Sequence, residues 1–463
     1  MKRSFIHAAC GAQWGFGAPS EDPELTGITT DSRKVRPGEL FAALAGPNFD
    51  GHDFIDVAIE RGCAALLVSR LPETAPSVPV LLVADVLTAL GQAGKAWRRQ
   101  VAPVVIGVTG SSGKTTVREM IAACLRAECG PLHATTGNLN NHIGVPLTLL
   151  AMPADCRVAV IEMGMSAAGE IAFLARLVLP SIGVVTNIQP AHLASFTGLQ
   201  AVAAAKGELL AALPEVGWGL IPALEPQRPV LEQSATGCRR LTFGPTPEAD
   251  IRWVDDPSTT EADGRRRGTI LWPDGAQVSV DLGVCAPHRL VNALAAAGVA
   301  RLAGASPEAI GAALAAFQPL AGRGASLAGP EGRIILDDTY NANPGSMAAA
   351  LATLGTHPAP RRVAILGDML ELGAESPALH AGLARDIAQN RVDLVVTAGI
   401  HMRALHEALL RELPGVGAHH ADDPANWLEH LSSLLHVGDV ILVKGSRGMR
   451  MERLVKDLMN HAV

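Results

Sequence analysis

The stretch VVIGVTGSSGKTT, residues 104–116, constrains this chain more than any other. An apolar, β-branched run enters a glycine-rich turn, and a helical pattern follows over Thr115–Glu128. Such a run is the signature of a strand buried on both faces, which requires a parallel sheet with helices on each side. The turn itself reads as a phosphate cradle. Gly110 and Gly113 permit close backbone approach, and the N–H groups of Ser111, Ser112, Thr115 and Thr116 at a helix start suit an oxyanion. Lys114 is placed to reach the β- and γ-phosphates of a nucleotide, and the Thr115 hydroxyl to face Mg²⁺. Counted from Gly107, the loop is one residue longer than the common G-x-x-x-x-G-K-[ST] pattern. Counted from Val108, the first glycine is missing. A glycine-rich βα turn carrying an exposed lysine is the bland alternative.

Length asks for more than this one unit. At roughly 100–200 residues per domain, 463 residues suggest two to four domains. Residues 1–100 hold short apolar runs (ELFAAL, CAALLVS, VPVLLVAD) with helical stretches at Phe54–Arg61 and Val86–Arg99, a small α/β unit. A boundary near Val101 precedes the phosphate-loop strand. In residues 101–318, RVAVIEMG and SIGVVTN continue the buried-strand pattern. RRLTFG, DIRWVDD, GTILWPDG and QVSVDLG, within 214–284, are separated by turn residues and read as an antiparallel meander inserted in or added to that sheet. From about 319 to 463, RIILDD, RRVAILGD, VDLVVTAG and DVILVKG alternate with helices as four strand–helix repeats of a doubly wound sheet.

Charge and cysteine usage exclude some classes. A net charge of −7 gives no reason to expect nucleic acid, which calls for a basic face. The seven cysteines are scattered, without C-x-x-C spacing, as free thiols in a reducing cytosol would be. The apolar stretch Leu177–Ala205 is broken by Pro180, Asn187, Gln189, Pro190 and His192, so no membrane insertion is expected, and the start carries no signal-peptide pattern. A cytoplasmic protein is the expectation.

Three side chains gather near the loop by strand order alone. Glu162 ends the run VAVIE; a carboxylate at the carboxyl end of a parallel strand lies where ligands collect and can hold Mg²⁺ directly or through water, or be an ordinary strand-end residue. His192 follows the next strand, near the same rim. Lys206, in AVAAAKGELL, is the only charge in an apolar helical stretch before Glu208. A regulatory GTPase would want N-K-x-D and D-x-x-G, and neither string occurs.

Together GSSGKTT, TTGNLNNHIGVPLTLL, IEMGMSAAGEI, TNIQPAHL, AAAKGEL, DDTYNANPGSM, LGDMLELG and LVKGSRGMRME resemble the Mur ligase family, and TTDSRKVRPGELFAALAGPNFDGHDF extends the likeness towards the start. The resemblance implies three domains: a small α/β domain binding a uridine nucleotide (1–100), a central P-loop ATPase domain with a mostly parallel sheet (101–318) and a C-terminal Rossmann-like domain (319–463). It implies ATP and two Mg²⁺ ions, with Thr115, Glu162, His192 and Lys206 as metal ligands, Lys206 as an N6-carboxylysine. Asn292 resembles an adenine contact, Arg323 an arginine reaching the nucleotide, and Asp338 a ribose contact; Tyr340 and Asn341 lie on the same interdomain motif. Ser32 and Arg33 resemble uridine diphosphate contacts. Thr135, Thr136, Asn138 and Asn141 resemble the loop that holds the muramoyl-peptide, and Asp368, Lys444 and Arg447 sit on third-domain strand-end loops that face the cleft, as further substrate contacts.

DDTYNANPGSM and LGDMLELG fit the branch that joins D-alanyl-D-alanine to UDP-N-acetylmuramoyl-tripeptide through an acyl phosphate, in peptidoglycan precursor synthesis. A monomer fits the family. One rival is a sister ligase adding diaminopimelate or lysine; its aspartate–asparagine–proline–arginine signature has only DDPA, Asp422 to Ala425, as a counterpart here. The other rival, from a different class, is a nucleotide-gated switch that makes no product.

Overall fold

The computed structural model describes residues 1–190, 196–257, 265–428 and 430–460. The chain builds three sheets in succession. The first comprises β1 (Gln13–Trp14), β2 (Gly27–Thr29), β3 (Glu39–Ala42), β4 (Ala65–Val68) and β5 (Val80–Leu82) in the order β1-β5-β4-β3-β2, with only β1 antiparallel. The second has nine strands: β6 (Val104–Thr109), β7 (Leu132–Ala134), β8 (Val158–Glu162), β9 (Ile182–Val185), β10 (Trp218–Pro222), β11 (Arg239–Gly244), β12 (Ile251–Asp255), β13 (Arg265–Leu271) and β14 (Gln277–Val284). Their order is β14-β13-β12-β11-β10-β9-β6-β8-β7. The third has β15 (Ala325–Ala328), β16 (Ile334–Asp338), β17 (Arg362–Gly367), β18 (Leu394–Ala398), β19 (Gly417–Ala421) and β20 (Val440–Lys444) in the order β15-β16-β20-β17-β18-β19. The whole is α/β, with mostly parallel sheets.

The second sheet explains why the phosphate loop sits where it does. After β6 the chain adds β7 and β8 on one side, then crosses to β9 and β10 on the other. The carboxyl end of β6 is therefore a topological switch point, where loops diverge and leave a crevice. Val105–Thr109 are fully buried, as a both-faces-covered strand requires. The helices Lys114–Leu125, Glu170–Val178 and Leu199–Ala211 pack on it, and the helix Pro287–Leu302, whose run Ala293–Ala297 is fully buried, covers the neighbouring strands β9 to β12. Alanines let this helix lie close to the sheet. At Gly298 even a methyl would be 2.4 Å from the Ile251 side chain.

Two expectations change. The segment 214–284 is not a meander throughout. β10 and β11 pair in parallel through the helix Arg228–Ser234, and β12 pairs in parallel with the end of β11. Only β12, β13 and β14 run antiparallel, and they extend the edge of the same sheet. Turn residues mark where a chain reverses or pauses, not whether the next strand returns in the opposite sense. The third sheet also holds two edge strands beyond the four expected, β15 and β19. The sequence of β19, GAHHA, is half-exposed and has no apolar alternation to betray it.

The helix Val86–Val101 joins the first two layers. Trp97 Nε1 donates to the Met152 carbonyl at 2.8 Å, and Arg98 donates to the carbonyls of Val178 and Leu179, each at 2.9 Å. One apolar cluster accordingly runs from Ile6 and Leu40 through Ala93 to Leu149 and Leu174. Among the described residues, no helix is long and apolar enough to cross a membrane.

Candidate functional site

The loop after β6 has the backbone of an anion cradle. Gly110 has φ +150°, and a Cβ there would lie 1.8 Å from Thr186 Oγ1, a collision no rotamer of residue 110 could relieve. Gly113 caps the helix Lys114–Leu125 at φ +74°, with Asn292 Oδ1 only 2.9 Å from where its Cβ would stand. The loop is held from the β9 side: Ser112 N donates to Asn187 Oδ1 at 3.0 Å and Thr186 Oγ1 to the Ser112 carbonyl at 2.6 Å. The Lys114 ammonium folds onto this loop, donating to the carbonyls of Gly110 at 2.8 Å and Ser111 at 3.3 Å. Burial pulls its pKa down from the lysine range, Glu162 pulls it back up, and Arg323 adds to the lowering.

Beside it, Glu162 closes β8 as a buried carboxylate, 2% exposed. Its Oε2 accepts from Thr115 Oγ1 at 2.9 Å and from Arg118 Nη1 at 3.3 Å, and its Oε1 accepts from Asn140 Nδ2 at 2.8 Å. Its own N–H donates to Thr135 Oγ1 at 2.9 Å. Thr135 thus fixes the strand end rather than reaching the cleft. Arg118 also pairs with Glu119 and donates to the Gly137 carbonyl. Lys206 lies on the helix Leu199–Ala211 at 2% exposure. Burial first, and Lys114 second, hold its pKa well below the usual lysine range. His192 lies outside the described residues.

Facing this wall across a cleft of about 1220 Å³ stand residues of the third sheet and its loops. Asp338 and Lys444 end β16 and β20 and are register partners. Lys444 Nζ donates to Asp338 Oδ2 at 2.7 Å and to the Asn341 carbonyl at 2.8 Å. Burial raises the Asp338 pKa, and Lys444 opposes that rise. The Arg323 guanidinium lies over the Tyr340 ring, 3.8 Å from its centroid, with Arg447 at 5.7 Å. The cleft therefore collects Lys114, Arg323, Lys444 and Arg447 in a chain whose net charge is −7. Glu162, Glu170, Glu225, Asp338 and Glu371 line it as well, so the cleft carries both signs, with Lys114 as the cation set at the phosphate loop.

Ser111, Ser112, Gly113, Lys114, Thr115, Thr116, Glu162, Asn292, Arg323, Asp338, Tyr340, Asn341, Lys444 and Arg447 share this cleft, together with Asn138 and Asn141. Asn141 also braces the chain that follows it, because its Oδ1 accepts from the N–H groups of Ile143 and Gly144. Gly110, Thr135, Thr136 and Lys206 do not line the cleft. Neither do Ser32 and Arg33, which sit on a turn of the first layer. There Arg33 Nε donates to Asp31 Oδ1 at 2.9 Å, holding the Asp31 carboxyl at about 2. Asp368, expected to face the cleft, does not line it, because its carboxylate is turned to the N–H groups of His401 and Met402, 3.3 and 2.8 Å away.

Arg118, Asn140 and Gln189 were not singled out by sequence reasoning. Arg118 is three residues after Thr115 on one helix, so the i,i+3 spacing carried the signal. Asn140 lies within the quoted TTGNLNN string. Gln189 lies within the quoted TNIQPAHL string.

Of the possible metal donors, Thr115 Oγ1 and Glu162 Oε2 lie side by side at the mouth of the phosphate loop. Hard oxygen donors in a nucleotide cradle suit Mg²⁺. Among the described residues, no group of three or more His, Cys, Asp or Glu side chains stands ready to hold a metal.

Comparison with known proteins matches three family models along the chain. They are the Mur ligase family catalytic domain over residues 24–98, the Mur ligase middle domain over 108–300 and the Mur ligase glutamate ligase domain over 322–447. The UDP-N-acetylmuramoyl-tripeptide–D-alanyl-D-alanine ligase of Escherichia coli K12 is 41% identical over 445 residues, covering 95% of both chains. A crystal structure of MurF from Acinetobacter baumannii superposes with a TM-score of 0.89 at 31% identity, over 99% of this chain and 98% of that one. The MurF ligase of Thermotoga maritima in complex with ADP superposes at 0.80 and 28% identity, over 94% and 97%.

Proposed function

This chain belongs to the Mur ligase family and is an ATP-dependent ligase joining D-alanyl-D-alanine to UDP-N-acetylmuramoyl-tripeptide in peptidoglycan synthesis; we propose that the cleft between its second and third sheets carries the chemistry. The observation that carries this reading is the meeting of two walls, Lys114 and Glu162 on one side and Arg323 and Lys444 on the other, around one volume.

A carboxylate is a poor electrophile. In the proposed reaction a carboxylate oxygen of the tripeptide attacks the γ-phosphorus of ATP, the bond to the β-phosphate oxygen breaks, and ADP leaves. The amine of D-alanyl-D-alanine then attacks the acyl phosphate carbon, loses its proton, and inorganic phosphate departs as the amide forms. The obstacle is charge. Two unit anions at about 4 Å repel by roughly 4 kcal/mol at an effective dielectric near 20. The N–H groups at the helix start, from Gly113 to Thr116, and the Lys114 ammonium offset this, whereas those of Ser111 and Ser112 already donate to the Asn187 carbonyl and Asn187 Oδ1. Lys114 now contacts only loop carbonyls, which it can leave for phosphate oxygens.

Mg²⁺, when bound, neutralises phosphate charge and draws electrons from the transferring phosphoryl. Thr115 and Glu162 would hold it, with His192 and a carbamylated Lys206 completing two sites. Support for the last comes from burial: a lysine held well below its usual pKa carries more of the neutral amine, the form that adds to CO₂ with loss of a proton. Asn292, Arg323, Asp338, Tyr340 and Asn341 would hold the nucleotide. Ser32 and Arg33 would hold the uridine diphosphate end, and Asn138 and Asn141 the muramoyl-peptide, with Thr135 and Thr136 shaping that loop. Lys444 and Arg447 serve the incoming dipeptide's side. We place the domain boundaries at 100 and 318, and assign a cytoplasmic monomer; the seven unpaired cysteines support that compartment.

The test is ADP release from ATP with the UDP-muramoyl-tripeptide and one amine at a time. Turnover is expected with D-alanyl-D-alanine and not with diaminopimelate or lysine. Transfer of ¹⁸O from the tripeptide carboxyl into released phosphate is expected too, and its absence would overturn the acyl phosphate.

A further inference from the structure

The helix Pro344–Thr356 starts with a residue that its own stability does not favour. Asn343 and Ser346 close a capping box: Ser346 N donates to Asn343 Oδ1 at 2.8 Å, and Asn343 N donates to Ser346 Oγ at 2.9 Å. Between them come Pro344, suited to a first helical turn, and Gly345. Gly345 does not occupy the left-handed region, so its backbone conformation is open to alanine, which helices prefer. The obstacle is a neighbour from another layer. A Cβ on Gly345 would lie 2.5 Å from Gln189 Cδ, 2.7 Å from its Oε1 and 2.9 Å from its Nε2.

Gln189 is in turn fastened to the phosphate loop. Its Oε1 accepts from Ser112 Oγ at 2.9 Å, its N–H donates to Ser111 Oγ at 2.9 Å, and its carbonyl accepts from that same hydroxyl at 3.1 Å. The carboxamide is the far end of a flexible side chain, so it can swing aside, but only by releasing Ser112. The alternative is for the helix to back away, carrying the third-layer wall with it.

We propose that Gly345 is a positioning residue for ligation: its bare Cα lets the helix Pro344–Thr356 seat on Gln189, and that seat sets the third-layer wall in register with the phosphate loop. The proposal rests on the ligase reading of this cleft. Asn343, Ser346 and Ala350 from the seated helix line the same cleft, so a shift of the helix reshapes the volume in which the amine must meet the acyl phosphate.

The test is a double-mutant cycle of Gly345→Ala and Gln189→Ala, read as kcat for ligation, affinity for an ATP analogue alone, and melting temperature. Gly345→Ala is expected to lower kcat by about a hundredfold, the scale of an ångström-sized misplacement. It should also weaken ATP-analogue affinity severalfold, because Arg323 and Tyr340 belong to the displaced wall, and leave the melting temperature equal or higher. In the Gln189→Ala background the same substitution should cost less than about threefold, because the clash is gone. Wild-type turnover in Gly345→Ala, equal costs in both backgrounds, or a melting temperature that falls with turnover would each overturn the proposal. Failure of the ligase reading is seen separately, as a wild-type protein that makes no ADP with D-alanyl-D-alanine.

Discussion

The two walls of the cleft are built on different principles. On the second sheet, Glu162 is held by four groups from three segments, and Lys114 lies on a loop braced by Thr186 and Asn187. The positions are set by strands and by hydrogen bonds behind the reacting groups. On the third sheet, Arg323 and Arg447 reach the cleft as long side chains flanking one aromatic ring, and Lys444 spends its charge on Asp338. The first wall is preorganised for charge that develops during phosphoryl transfer; the second can rearrange around a ligand. Substitutions in the first should therefore act on kcat, and in the second on ligand affinity and local stability.

The largest effect is expected for Lys114→Ala. Its ammonium is the cation at the phosphate loop, and loss of such a group costs about a thousandfold or more in rate. Its hydrogen bonds in the absence of phosphate are to loop carbonyls alone, so the melting temperature should hold. Steady-state ADP release alongside calorimetry checks both halves. Glu162 should behave differently. Glu162→Gln keeps the shape and is expected to lower kcat by about a hundredfold. Glu162→Ala takes one of two carboxylate partners from Arg118, itself 2% exposed and still paired with Glu119, and should also destabilise by about 2 kcal/mol. If Glu162→Ala melts like wild type, the braced-wall picture fails.

Lys444→Met tests the other wall. It leaves the Asp338 carboxylate, whose side chain is 24% exposed, without its cation. A fully buried pair broken this way would cost about 3–5 kcal/mol; with Asp338 partly solvated, about 2 kcal/mol is expected. Burial already raises the Asp338 pKa and Lys444 counters it, so the variant's carboxyl should titrate still higher. A carboxyl whose pKa is raised on folding weakens the fold where it is ionised. The deficit should therefore be full at neutral pH and vanish below about pH 4, the unfolded aspartate range. Urea unfolding at pH 7 and pH 3.5 shows whether the gap to wild type closes.

The same contrast governs what could be read from the chain. Lys114, Thr115 and Glu162 announced themselves because strand, glycine loop and helix force their positions: a carboxylate at the end of β8 has to stand beside the loop after β6. Arg323, Asp338 and Tyr340 emerged only through resemblance, since no local spacing ties Arg323 to a ring seventeen residues later on another segment. β19 was missed because an edge strand needs no apolar face. The segment 214–284 was misread because the helix Arg228–Ser234 is short and has a proline at its second position, so a parallel crossover passed for a turn. Gln189 was passed over because its importance lies in what touches it from both sides.

Arg323→Lys should give the smallest effect. The charge stays, so long-range attraction of the nucleotide is preserved. The planar guanidinium, which rests on Tyr340 at 3.8 Å, is replaced by an ammonium that cannot stack. A cation–aromatic contact in a partly solvated cleft is worth about 0.5–1 kcal/mol, so the KM for ATP should rise by about two- to fivefold with kcat nearly unchanged. Tyr340→Leu should produce a similar rise, and adding Arg323→Lys to it should change little further, because the two residues act through one contact. If Arg323→Lys instead lowers kcat as strongly as Glu162→Gln does, Arg323 meets charge that forms only in the transition state. The second wall would then be preorganised like the first, and the distinction between them would dissolve.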